Sequence, residues 1–119
     1  MLTFYDQSGS AIAYLHADGE SIYLYQGTPV AYLVDESIYA YSGTHLGWFQ
    51  DGWIFDGSGG RVFFTENASG GPIRPIRKIR PIRGIRGIRP IKGVRAVRPV
   101  RPIRSLSWSA LTGISFFDQ

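Results

Sequence analysis

Four glycines, Gly9, Gly27, Gly43 and Gly59, stand 18, 16 and 16 residues apart, and the segments around them align without a gap as FYDQSGSAIAYL, IYLYQGTPVAYL, IYAYSGTHLGWF and IFDGSGGRVFFT. Four residues before each glycine is an aromatic (Tyr5, Tyr23, Tyr39, Phe55). Three after it is a branched aliphatic (Ile12, Val30, Leu46, Val62), and five after it another aromatic (Tyr14, Tyr32, Trp48, Phe64). Such self-similarity marks a stacked or radial repeat. Gln-Gly or Ser-Gly flanked by β-branched and aromatic residues reads as a β-hairpin whose glycine supplies positive φ. With a two-residue turn, Tyr23, Val30 and Tyr32 share one face, and Ile22, Leu24, Ala31 and Leu33 share the other. One face of each unit is aromatic; the other mixes Ile or Phe with small residues, as where four units crowd about a common axis. A sheet apolar on both faces needs both covered.

Residues 72–104 repeat the triplet Pro/Gly-Ile/Val-Arg/Lys. In an α-helix a three-residue step advances about 300°, so the Ile row spirals and the prolines break the helix. A strand throws successive isoleucines to opposite faces. Polyproline II, with three residues per turn and no need of backbone donors, turns the tract into three straight stripes. The chain therefore divides into a four-hairpin β domain (1–67), a Gly/Pro-rich triplet arm (68–104) and a C-terminal segment (105–119) whose Trp108, Phe116 and Phe117 are expected back at the core. Residues 105–113 read as a strand or a short Ser-capped helical turn closed by Gly113, and 114–117 as a strand. The fold class is all-β, four hairpins with pseudo-fourfold symmetry.

Charge is segregated. Residues 1–71 carry eight acids and one cation, Arg61, whereas 72–104 carry twelve cations and no acid. Asp18, Glu20, Asp35, Glu36, Asp51 and Glu66 fall where one hairpin passes to the next and form an acidic rim. With no cysteine there is neither a disulfide framework nor a thiolate metal site. No apolar run approaches the ~20 residues that span a bilayer, so no transmembrane segment is expected and the cytoplasm is the default location.

The glycine-centred repeats, HLGWFQDGWIFD, FFTENASGGP, the basic triplets and the closing SLSWSALTGISFFDQ together resemble the bacterial four-fold β-flower family over nearly the whole chain. That resemblance implies four hairpins arranged as petals. It implies no activity and carries over no catalytic residue. A weaker likeness, through Gly47-Trp48 and Gly52-Trp53, is to the GW repeats of bacterial cell-wall-binding modules.

No constellation for catalysis stands out. His16 and His45 occupy different repeat positions, DGSGG at 56–60 reads as the fourth turn rather than part of a triad, and no metal-ligand spacing is present. The chain is expected to be a non-enzyme without cofactor. For the arm, one reading packs the Ile/Val stripe on the β body and pairs arginines with the acidic rim. The other gives Arg74, Arg77, Lys78, Arg80, Arg83, Arg86, Arg89, Lys92, Arg95, Arg98, Arg101 and Arg104 to an anionic partner, nucleic acid or an acidic protein, through salt-sensitive contacts. The two are compatible. No aromatic interleaves with the cations, which argues against base stacking. A third reading uses the rings of Tyr5, Tyr14, Tyr23, Tyr32, Tyr39, Trp48, Phe55 and Phe64 as a ligand or glycan face, which requires them to be exposed. A small body with two apolar faces and a long Ile-striped rod also suggests a homo-oligomer.

Overall fold

The computed structural model describes residues 1–119. Eight short antiparallel strands close into a barrel in chain order: β1 (Leu2–Tyr5), β2 (Ala11–Leu15), β3 (Ser21–Leu24), β4 (Pro29–Val34), β5 (Ser37–Ala40), β6 (His45–Gln50), β7 (Trp53–Asp56) and β8 (Arg61–Phe64). Each consecutive pair β1β2, β3β4, β5β6 and β7β8 is one petal. The whole is a disc of 37 × 36 × 22 Å. Closure is thin at the seam, where β1 meets β8 through the single pair Tyr5↔Phe64, stacked at 5.4 Å.

The petal tips carry the four glycines as expected, at φ of 84°, 111°, 99° and 92°. The loop is longer than the two residues read from sequence. At the first tip, Gly9 N–H donates to the Asp6 carbonyl and Asp6 N–H to the Ser10 carbonyl, both at 2.9 Å, leaving three residues in the turn with glycine as the left-handed third. A bulge follows in every petal: Phe4 and Tyr5 face Ala13 and Ala11, skipping Ile12, and the same shift recurs in the other three. The extra residue alters the face assignment. Ile12, Val30, Leu46 and Val62 turn inward to the barrel core, so Val30 does not share the aromatic face.

Inside the barrel lie Phe4, Ile22, Ile38 and Ile54, opposite Ala13, Ala31, Gly47 and Phe63. Small residues at three of those last four positions leave room for a plug. The C-terminal segment provides it through Phe116 and Phe117, which are buried against Phe63 at 5.7 Å each. Those residues sit in a 3-10 helix, Gly113–Asp118, rather than the strand expected for 114–117. A strand there would have no free sheet edge to join, because the barrel is closed. Upstream, the segment makes a single parallel bridge, Trp108 with Arg61.

The connections between petals need left-handed backbone at Asp35 (φ 54°) and Asp51 (φ 52°), which aspartate tolerates better than most residues. The acidic rim is thus partly a consequence of turn chemistry.

Candidate functional site

The arm docks along the petals, and its backbone is held by their tips. Lys78, Gly87, Ala96 and Ser105 donate N–H to the carbonyls of Gly9, Gly27, Gly43 and Gly59 at 2.8–2.9 Å. Gly84 and Gly93 donate to Tyr25 and Tyr41, both at 2.7 Å. These contacts recur every nine residues, one set per petal, so the arm is itself fourfold: PIRPIRKIR, PIRGIRGIR, PIKGVRAVR and PVRPIRSLS. That order was present in the sequence beneath the triplets. Proline occupies 72, 81, 90 and 99, and the tip-donor positions 78, 87, 96 and 105 never hold it. Glycine at 84 and 93 is required by close approach, since a Cβ there would lie 2.0 Å from the Gln26 carbonyl oxygen and 2.6 Å from that of Ser42. No arm residue is in a helix or strand, and side-chain direction repeats every third residue, as in polyproline II.

The stripe facing the body is not the one expected. Ile73, Ile76, Ile79, Ile82, Ile85, Ile88, Ile91, Val94, Val97, Val100 and Ile103 point outward, 92–97% exposed. The expectation that the Ile stripe packs on the β body is therefore overturned. The small stripe must touch the tips for the backbone bonds to form, and only one of the two remaining stripes can also turn inward. The cations win because the petals present both rings and acids to them. Arg77 lies over Tyr5, Arg83 over Tyr14, Lys92 over Tyr32, Arg95 over Tyr39, Arg101 over Trp48 and Arg104 over Phe55, at 4.3–5.8 Å from the ring centres. Ion pairs of 2.5–3.9 Å join Arg77 to Glu66, Arg89 to Asp18, Lys92 to Glu20, Arg98 to Asp35, Arg101 to Glu36 and Arg104 to Asp51. All six rim acids are engaged. Each pair is half-exposed and contributes at most about 1 kcal/mol.

The eight aromatics of the ligand-face reading are all buried, none more than 5% exposed. They stack in pairs across neighbouring petals, Tyr14 on Tyr23 at 5.8 Å and Tyr32 on Tyr39 at 6.0 Å, and the arm lies over them. They form the second apolar layer of the fold, and a glycan has no access to their faces.

The chain is a closed ring of four glycine-tipped hairpins, and the model of the 4-fold beta flower protein family matches residues 2–117. The chain belongs to the four-fold β-flower family. No curated protein and no solved structure matches it.

Within the flower, the cations divide. Arg74, Lys78, Arg80, Arg83, Arg86 and Arg95 have no carboxylate partner, and five of these fall on the first half of the arm. At the first petal Arg77, Lys78 and Arg80 line an open cleft of about 500 Å³ with Tyr5, Ile79 and Glu66. A smaller hollow of about 360 Å³ is lined by Arg89, Lys92, Ser21, Tyr41 and Glu20, where both cations are already paired.

Two carboxylates are tuned by the petals. Burial pushes Asp18 up, but hydrogen bonds from the Ser21 hydroxyl at 2.6 Å and from the Ser21 and Glu20 amides, with a smaller effect of His16, outweigh it and hold the group at about 2. Asp56 behaves alike: burial raises it, and the hydroxyls of Ser109 and Ser58 with the Gly60 and Ser58 amides bring it below the usual carboxylate range. Through Ser109, Asp56 also ties the C-terminal segment to the fourth tip. Depressed carboxylates stabilise the fold fully above their unfolded value near 3.8, and that stabilisation is lost as pH falls toward 2. Urea melts should therefore give similar midpoints at pH 7 and 5 and a clear drop between pH 4 and 2. Asp18→Asn should flatten part of that drop; an unchanged acid limb in the variant would remove Asp18 as its source.

Burial, with a smaller effect of Arg98, lowers His45, whose ring packs between Tyr39 and Trp48 at 5.0 and 4.5 Å. The shift favours the neutral ring, which serves as an aromatic filler.

Proposed function

We propose that this β-flower is a non-catalytic binding module that takes an anionic partner on the first half of its arm. The observation that supports it is the asymmetry of neutralisation. From residue 88 on, every arm cation except Arg95 pairs with a rim acid, whereas Arg74, Lys78, Arg80, Arg83 and Arg86 do not, and two of these meet Arg77 in the first-petal cleft. Unpaired cations converging on an open cleft attract phosphate or carboxylate groups by counterion release, with steep salt dependence and little sequence preference. Nucleic acid, with its closely spaced phosphates, is the polyanion this surface suits; an acidic protein is the other outcome.

The test compares the intact chain with a variant carrying glutamine at 74, 78, 80 and 86. These side chains pair with no acid and cover no ring, so the fold should persist, checked by thermal melting. Capture of nucleic acid from lysate by the intact chain should weaken with salt and vanish with nuclease, and the variant should capture at least tenfold less. Equal capture by both versions would sink the proposal, and nuclease-resistant capture would replace nucleic acid with an acidic protein.

A further inference from the structure

The outward row of eleven β-branched side chains is independent of the cationic cleft. Rows of exposed isoleucine are unusual on monomers, where contiguous apolar patches rarely exceed a few hundred Å². At about 60–120 Å² of apolar surface per side chain, this row exposes on the order of 1,000 Å². We propose that it is a self-association surface, and that its occupant is further copies of this chain packed rim to rim.

Three features select a second copy. The row follows the arm past all four tips of a disc 37 × 36 Å across, so it curves around a convex rim. A flat surface such as a bilayer meets one side of such a rim and leaves the rest in water; neighbours can meet several sides at once. A copy also brings a row of the same pitch, about 9 Å between successive side chains. That spacing lets the isoleucines of one rim drop into the gaps of another. Finally, the second-half cations face the rings and acids of the body, and all but Arg95 are paired, so apposing two rims there brings little unpaired charge together.

The stoichiometry follows from size. One side of the rim holds about a quarter of the row, well below the roughly 800 Å² per partner of a standard interface, so a single contact is weak. The pseudo-fourfold layout repeats that contact on other sides, and contacts between non-identical sides need not close into a ring. Association should therefore be weak and open-ended.

Sedimentation velocity of the purified chain, free of nucleic acid, in about 0.5 M salt tests this, because salt suppresses contacts between charges and leaves apolar ones intact. Across about 10 µM to 1 mM the weight-average sedimentation coefficient should rise steadily. A variant with Ile82→Gln, Ile91→Gln and Val100→Gln, all outward and 94–97% exposed, should remain monomeric at every concentration with an unchanged melting curve. A wild type that stays monomeric, a variant that associates like wild type, or association that disappears at 0.5 M salt would each overturn the proposal. So would wild-type binding to neutral lipid vesicles without self-association, which would name a lipid surface as the occupant. The variant keeps all twelve arm cations, so failure here leaves the anionic-partner reading standing, and the reverse also holds.

Discussion

Phe116→Ala is expected to cost about 3–5 kcal/mol, the range for removing a fully buried aromatic, and to lower the melting temperature by roughly 10 °C or more. The ring is completely buried. It packs edge-on to Phe63 at 5.7 Å and Phe117 at 5.2 Å, and sits 3.0 Å from where a Cβ on Gly47 would be. It fills the space that Ala13, Ala31 and Gly47 leave, and nothing else can collapse into it, because the barrel walls are held by their own ladders. Phe116→Leu should recover part of the loss, and Ile114→Ala, at a half-exposed position of the same 3-10 helix, should cost well under 1 kcal/mol. Denaturant melts of the three variants check this. Similar losses for Phe116→Ala and Ile114→Ala would mean that the C-terminal segment decorates the barrel and does not plug it.

The second large effect is at a petal tip. A Cβ on Gly43 would lie 2.0 Å from the Val94 carbonyl oxygen, on a backbone at φ 99°. Gly43→Ala should therefore lift the arm from the third petal as well as strain the turn, at a cost of about 3 kcal/mol or more. Gly19→Ala is the matched control: its φ is 72°, but nothing lies within 4 Å of the added carbon. It should show the backbone strain alone, about 1–2 kcal/mol. Trypsin distinguishes the two further. Cleavage after Lys92 and Arg95, which precede Gly93 and Ala96, should accelerate markedly in Gly43→Ala and little in Gly19→Ala. Equal stability losses with equal protease resistance would show that the arm is not held at the tips.

Much of the architecture was legible because hairpins are local. Gly9, Gly27, Gly43 and Gly59 announce the turns, and the aromatics four before and five after them announce strands. The return of Phe116 and Phe117 followed from their being the last large apolar residues of a chain short of core. The barrel's inward residues were less legible. A bulge at Ile12, Val30, Leu46 and Val62 moves one residue per petal across the sheet, and nothing in the period-two pattern marks where such an insertion falls.

For the arm, the three stripes and the polyproline II conformation follow from sequence alone, because period three and repeated proline leave no other regular backbone. Which stripe turns inward does not. Ile, Arg and Pro/Gly stripes are equivalent along an isolated rod, and hydrophobicity by itself places Ile against the body. The tertiary structure decided otherwise, since only there do the Gly27 and Gly43 carbonyls meet the N–H groups of Gly87 and Ala96, while Tyr32, Trp48, Glu20 and Glu36 lie within reach of Lys92 and Arg101. Once the backbone bonds fix the rod's rotation, the cations gain rings and carboxylates and the isoleucines are left in water. The sequence by itself determined four petals, an extended cationic arm and a returning C-terminus; the rotation of that arm, and with it an exposed apolar rim over buried aromatics, depended on contacts between residues mostly about fifty or more positions apart.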